Sequence, residues 1–192
     1  MSTLLTPILS NISTFDPSKE NLIKFYYEGG QIEKKRLVIT DNTNSTVVYD
    51  KTQLGMKLSF TLSASSIPVG QYTAKIKVID FNGNESEFSD SVLFYCYSSP
   101  TLSFSDFPVK INSSNLTVKL NYSQAENDTL KEYAYYLYDY QKSLVSKTDT
   151  YYTTDDMSHT FYGLKNKQTY YIRCAGQTTH DMTADTGLCK VY

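Results

Sequence analysis

The sequence predicts an all-β chain built as two tandem antiparallel β-sandwiches, residues 1–98 and 99–192. Three observations predict it. Apolar and polar residues alternate with period two over short runs separated by turn chemistry, the pattern of strands with one buried face. The composition favours strands: 18 Tyr and 22 Thr suit a pleated, half-buried surface, and there is no Trp. The two halves also repeat. Pro7-Ile8-Leu9-Ser10 matches Pro100-Thr101-Leu102-Ser103 at an offset of 93, and Tyr72-Thr73-Ala74-Lys75-Ile76 matches Tyr170-Tyr171-Ile172-Arg173-Cys174 at an offset of 98. The length, 192 residues, accommodates two domains of about 95 residues each.

In the first half, Ile23, Phe25 and Tyr27 alternate with Leu22, Lys24 and Tyr26. Leu37 and Ile39, Val47 and Tyr49, then Leu58, Phe60 and Leu62 give three further strands. Tyr72, Ala74, Ile76 and Val78 mark the longest, and Val92, Phe94 and Cys96 close the set. Gly29-Gly30, Asp41-Asn42-Thr43-Asn44, Ser65-Ser66-Ile67-Pro68 and Asn82-Gly83-Asn84 supply the turns. In the second half, Leu116, Val118, Leu120 and Tyr122 form one strand and residues 130–139 another. Leu144-Val145, 160–162, 170–174 and 187–192 follow. Only 124–131 leaves a helix open as an alternative.

Charge excludes several functions. The formal net charge is −2, and each half carries 9 bases and 10 acids, so no basic footprint for nucleic acid exists. Residues 1–7 lack a basic, then apolar, leader, and no apolar run approaches the roughly 20 residues of a membrane span, so neither a signal peptide nor a membrane role is expected. Cys96, Cys174 and Cys189 are odd in number and form no CxxC pair. Buried free thiols are expected, with a Cys174–Cys189 pairing across neighbouring strands left as the alternative. This usage suits a reducing cytoplasm.

The sequence offers no catalytic, cofactor-binding or metal-binding constellation. His159 and His180 are its only histidines, and no H-E-x-x-H, G-x-S-x-G or G-x-x-x-x-G-K motif occurs. His180-Asp181 lies near Cys174 and Asp185 in sequence. An exposed loop histidine above a buried thiol is the expectation, rather than a Cys–His pair. Asp80-Phe81-Asn82-Gly83-Asn84 resembles a calcium loop only briefly, because Gly falls fourth and Ser91 occupies the twelfth position. A solvated loop is expected there, as is a solvated basic run at Lys34-Lys35-Arg36. Seven N-x-[ST] sequons, among them Asn112, fit polar strands and loops.

Tyrosine is distributed unevenly: 12 of the 18 follow residue 98. Tyr133, Tyr135 and Leu137 share one face of a strand, and Ala134, Tyr136 and Tyr138 the other. Tyr136 and Tyr138 are therefore candidate interface residues, since a rigid ring with a polar tip is suited to contact. The alternative is ordinary sandwich surface.

Residues 164–172, with Leu164 six positions ahead of Tyr170, resemble the signature of fibronectin type III domains. That resemblance implies a tyrosine corner at Tyr170, whose hydroxyl turns back to the preceding loop. Pro68-Val69-Gly70-Gln71-Tyr72, followed by Asp80 through Ser86, is similar to bacterial immunoglobulin-like and fibronectin-like modules and implies the same role for Tyr72. The expected strand-B Trp is missing, so Phe25, Val118 or Leu120 must fill its volume. Leu37-Val38-Ile39, Val47-Val48-Tyr49-Asp50 and Phe94-Tyr95-Cys96-Tyr97 resemble the opening module of minor structural proteins from tails of phages of Gram-positive bacteria. Leu137-Tyr138-Asp139, Gly176-Gln177-Thr178 and Asp185-Thr186-Gly187 resemble their second module, although His180-Asp181 stands before Met182 where a Gly is common. This resemblance implies a non-catalytic virion protein of tail, baseplate or fibre, acting as spacer and docking module and assembled in the bacterial host cytoplasm. It further implies other virion structural proteins as partners, homo-oligomers within the assembly, and a host-surface glycan as a further ligand. The alternative is an adhesive or carbohydrate-binding accessory module of a bacterial surface or secreted protein.

Overall fold

The computed structural model describes residues 4–111, 113–152 and 154–192; the sequon at Asn112 lies outside the described residues. The chain divides into two compact units, Met1–Ser98 and Ser99–Tyr192. In chain order, the first contains β1 (Ile8–Leu9), β2 (Asn21–Tyr26), β3 (Lys34–Asp41), β4 (Val47–Leu54), β5 (Ser59–Leu62), β6 (Gly70–Ile79) and β7 (Val92–Cys96). The second contains β8 (Thr101–Ser105), β9 (Leu116–Ser123), β10 (Leu130–Tyr138), β11 (Leu144–Lys147), β12 (Ser158–Phe161), β13 (Tyr170–Thr178), β14 (Thr183–Asp185) and β15 (Cys189–Val191). Among the described residues there is no helix, and the stretch 124–131 is a turn running into β10.

Each unit is a fibronectin-type sandwich. In the first, sheet β1-β2-β5 faces sheet β4-β3-β6-β7; in the second, β8-β9-β12 faces β11-β10-β13 with β14 and β15 both pairing with β13. All named strand pairs are antiparallel. Alternation dictates which side chains meet. Ile23, Phe25, Leu37, Ile39, Phe60, Leu62, Tyr72, Ile76 and Phe94 fill the first core. Leu116, Val118, Leu120, Tyr133, Tyr135, Leu137, Phe161, Tyr170 and Ile172 fill the second. Each such apolar side chain contributes roughly 1.5–3 kcal/mol on leaving water. Phe25, Val118 and Leu120 are all buried, taking the volume expected of a strand-B Trp.

The same devices close both units. After β1 the chain crosses to the other sheet, where Phe15 bridges Cys96 in parallel and Tyr97 N–H donates to the Phe15 carbonyl at 3.1 Å. In the second unit the Ile111 N–H donates to the Tyr192 carbonyl at 2.7 Å and the Tyr192 N–H to the Val109 carbonyl at 3.2 Å. Beyond the short last strand, a hydroxyl residue completes the hydrogen bonding of the long central one. Ser89 bonds Ile76 through both its backbone N–H and its Oγ, and Thr186 bonds Cys174 in the same two ways. The β3–β4 and β10–β11 turns are each organised by an aspartate. Asp41 accepts from the Thr43 N–H, and Asp139 from the N–H groups of Gln141 and Ser143. At the edge of β5, the Gln53 side chain pairs with Thr61 in both directions, donating to its carbonyl at 2.6 Å and accepting its N–H at 3.0 Å.

Three expectations require correction. The strand expected over 187–192 is confined to β15, because Gly187 takes a positive φ of 68° ahead of it, and β14 before that turn is a further short strand the sequence did not indicate. Tyr162 lies outside β12 and is exposed. Lys35 is not a solvated member of a basic run but is 3% exposed. The register of β3 points it inward, and its Nζ donates to the carbonyls of Gly55 and Lys57 at 3.1 and 3.2 Å. Burial, and then the neighbouring Lys57 charge, hold its pKa below the ordinary lysine value.

Candidate interaction face

Strand β10 carries tyrosines on both faces, and alternation decides their fates. Tyr133 and Tyr135 point inward with Leu137 and are buried. Tyr135 packs against Tyr133, Tyr151, Phe104, His159 and Phe161, so desolvation by burial drives its pKa far above the ordinary phenol value. Its hydroxyl donates to the Met157 carbonyl at 2.8 Å, as a buried phenol requires.

Tyr136 and Tyr138 lie on the outer face, half-buried and stacked on one another at 6.4 Å. The register sets Tyr136 opposite Lys147 on β11 and Arg173 on β13, and Tyr138 opposite Leu144 and Tyr171. Lys147 Nζ lies 5.5 Å from the Tyr136 ring centroid, and the Arg173 guanidinium 5.7 Å from it. The ring therefore lies within cation–π reach of two cations. Arg173 is fixed in turn by a forked ion pair with Asp185 on β14. That hydrogen bond, and then one to Tyr138, raises its pKa further. The guanidinium in turn holds the Asp185 carboxyl below the ordinary carboxylate range. Lys142 lies 5.5 Å from the Tyr171 ring. The result is an ordered aromatic and cationic surface. A shallow depression of about 160 Å³ adjoins it, lined in part by Glu132, Tyr136, Lys147 and Gln177. Such a surface can bind by ring contact and hydrogen bonding, with little side-chain entropy left to lose.

The two corner tyrosines lie in the first three residues of β6 and β13 and are both buried. The Tyr72 hydroxyl donates towards the carbonyls of Pro68 and Val69, at 3.0 and 3.3 Å. The Tyr170 hydroxyl accepts the Lys165 N–H at 3.1 Å and donates to Gln168 Oε1 at 3.1 Å. Each ties its strand to the loop before it by a different set of bonds.

The other residues singled out from sequence fall as follows. Asp80 accepts from the N–H groups of Asn82 and Asn84 and from the Asn84 side chain, so its carboxylate organises the turn. Cys96 and Cys174 are buried, Cys189 is half-buried, and none of the three forms a disulfide. Cys189 stands opposite Ile172 rather than Cys174. Burial pushes the Cys174 thiol up to about 12, which leaves it protonated and unreactive at neutral pH. His180 departs from expectation. It is not a free loop residue: its Nδ1 lies 2.9 Å from Oδ1 of Asp128, whose side chain is fully buried. The sequence did not mark Asp128 as a partner, because the two stand 52 residues apart and only the β10–β13 pairing brings them together.

Among known proteins, no family model and no curated protein matches the sequence. A solved structure of the FN1–FN3 domains of chicken CNTN1 is similar, with a TM-score of 0.58 and 14% identity over 98% of this chain and 67% of that one. That likeness establishes the fibronectin type III fold and nothing narrower. A fold of this kind does not by itself fix a function, which lies in what the surfaces display.

Proposed function

We propose that the chain is a non-catalytic structural and docking protein, and more specifically a component of a phage tail, baseplate or fibre. The observation that carries the docking role is the outer face of the second unit, where Tyr136 stacks on Tyr138 and is clamped by Lys147 and Arg173. The short motifs resembling phage minor structural proteins favour the virion. On this reading the partners are other virion proteins and further copies of the chain. A glycan of the host surface is a further ligand.

The test is direct. Tyr136→Ala with Tyr138→Ala should abolish co-assembly with the neighbouring structural proteins while leaving the melting temperature nearly unchanged, because both side chains lie outside the core. A large fall in melting temperature would move both rings to a folding role and overturn the docking proposal. Immunogold electron microscopy of the source particle should place the protein on the tail. Label confined to a bacterial cell envelope would instead assign an adhesive surface module.

A further inference from the structure

A recess of about 410 Å³ in the second unit lies between the loop that precedes β13 and the segment that runs beside β15. Its lining includes Lys110, Lys165, Lys167, Asn166 and Gln168, with Ser113 and Ser114 at one side and Tyr192 at the other, and no acidic side chain. None of the three lysines makes an ion pair among the described residues. A third of this unit's nine cations thus border one cavity, in a chain whose net charge is −2. Its volume lies within the roughly 300–1,000 Å³ usual for small-molecule sites.

The walls are held in place. The Leu164 N–H donates to the Ser114 carbonyl at 2.8 Å, joining the two sides, and Leu164 itself is buried. Lys110 is flanked by the two hydrogen bonds that tie Val109 and Ile111 to Tyr192. The Tyr170 hydroxyl fixes the loop twice. It accepts the Lys165 N–H, and it donates to Gln168 Oε1, which leaves the Gln168 Nε2 as a donor for a ligand.

The first unit supplies an internal control. Its corresponding loop, 63–68, reads Ser-Ala-Ser-Ser-Ile-Pro and carries no charge. There the corner tyrosine bonds only backbone carbonyls. By the offset of 98 that aligns Tyr72 with Tyr170, Lys165 and Lys167 stand where Ile67 and Val69 stand in the first unit. The fold therefore does not require lysines at this position.

We propose that this recess binds the phosphate group of a phosphorylated polyol or sugar. Lysine ammonium groups act as point charges towards phosphate oxygens. The hydroxyl and amide groups of Ser113, Ser114, Asn166 and Gln168 are suited to the remaining oxygens and to polyol hydroxyls. The site is independent of the virion assignment, and its test reads a different part of the protein.

The probes are sn-glycerol 3-phosphate, inorganic phosphate and glycerol, added to the full chain at about 0.01 M ionic strength, where screening is weak. Binding is followed by the backbone amide shifts of Lys165, Asn166, Lys167 and Gln168. Glycerol phosphate should shift them saturably, with Kd on the order of 1 mM, and glycerol should not. The triple variant Lys110→Gln, Lys165→Gln, Lys167→Gln should weaken binding at least about tenfold with its melting temperature preserved, since all three side chains are exposed. Tyr170→Phe should weaken it by a smaller factor. A poly(glycerol phosphate) chain that binds tighter than the monomer identifies a polymer as the source; equal affinity identifies a small phosphomonoester. Either supports the site. Unchanged binding by the triple variant, equal response to glycerol, or no saturable shift with any phosphate would overturn it.

Discussion

The two units share one strand plan but present different outer faces on their larger sheets. In the first, Arg36 forks onto Asp50 at 2.7 and 2.6 Å, Lys77 pairs with Glu85, and Lys75 and Lys77 lie 4.7 and 5.0 Å from the Phe88 ring. In the second, the corresponding strands carry Tyr136, Tyr138, Tyr171 and Arg173, with Asp185 holding the arginine. Inward positions fill a core and are constrained by volume in both units. Outward positions are free to become a charge lattice in one and a ring stack in the other. A repeated fold thus separates what is needed to fold from what is available for recognition.

The sharpest break between the units should come at Gly176. It stands on β13 where Val78 stands on β6, by the offset of 98 that aligns Tyr72 with Tyr170. A Cβ on Gly176 would lie 2.4 Å from the Glu132 carbonyl oxygen and 2.8 Å from Tyr133 Cβ, because the β10–β13 register slips beside it. Gly176→Ala should therefore destabilise the second unit by roughly 3 kcal/mol, measured by chemical denaturation with the inward-facing tyrosines of β10 as the fluorescence probe. A stability unchanged within error would mean that β10 shifts to make room.

A smaller difference should separate the corner tyrosines. Tyr72→Phe removes a donor to two carbonyls, and Tyr170→Phe removes an acceptor of one N–H and a donor to a side chain. Each should cost about 1 kcal/mol. Only Tyr170→Phe should also speed amide exchange at Lys165, whose N–H it strands. Equal protection of that amide in both variants would count against the bond.

The smallest effect concerns pH. His159 stacks on Tyr135 at 5.2 Å and meets the Tyr151 hydroxyl at 3.1 Å, and burial holds its pKa below the ordinary 6.5. The unfolded chain therefore takes up the proton first. The stability contribution of the neutral ring is complete above about pH 6.5 and lost as pH falls towards the folded value. The first unit has no histidine. Its depressed carboxylates, such as Asp50 beside Arg36, lose their contribution only as pH falls below the ordinary 3.8. Lowering pH from 7 to 5 should shift the second unit's melting temperature down by about 2 °C or less and leave the first unchanged. His159→Gln should flatten that part of the dependence.

The strands were legible because a half-buried sheet imposes period two on its sequence, and Tyr133 to Tyr138 show that alternation also sorts the tyrosines of a Tyr-rich run into core and surface. What alternation cannot convey is which polar side chains will be carried inside. Lys35 reads as one of three adjacent bases, yet its register buries it and the loop carbonyls at Gly55 and Lys57 hold its charge. The Asp128–His180 contact likewise depends on strand pairing across 52 residues. The clamp on Tyr136 escaped for the same reason: Lys147 and Arg173 reach it from different strands.

The amide of Gln53 has a consequence beyond the first unit's own stability. Thr61 presents its N–H and carbonyl away from β2, and an unsatisfied pair of that kind invites a foreign strand. By occupying both groups, a side chain makes this margin of the sheet a poor seed for edge-to-edge polymerisation. Where copies are crowded at high local concentration, that guards against misassembly and leaves association to the faces that carry specificity.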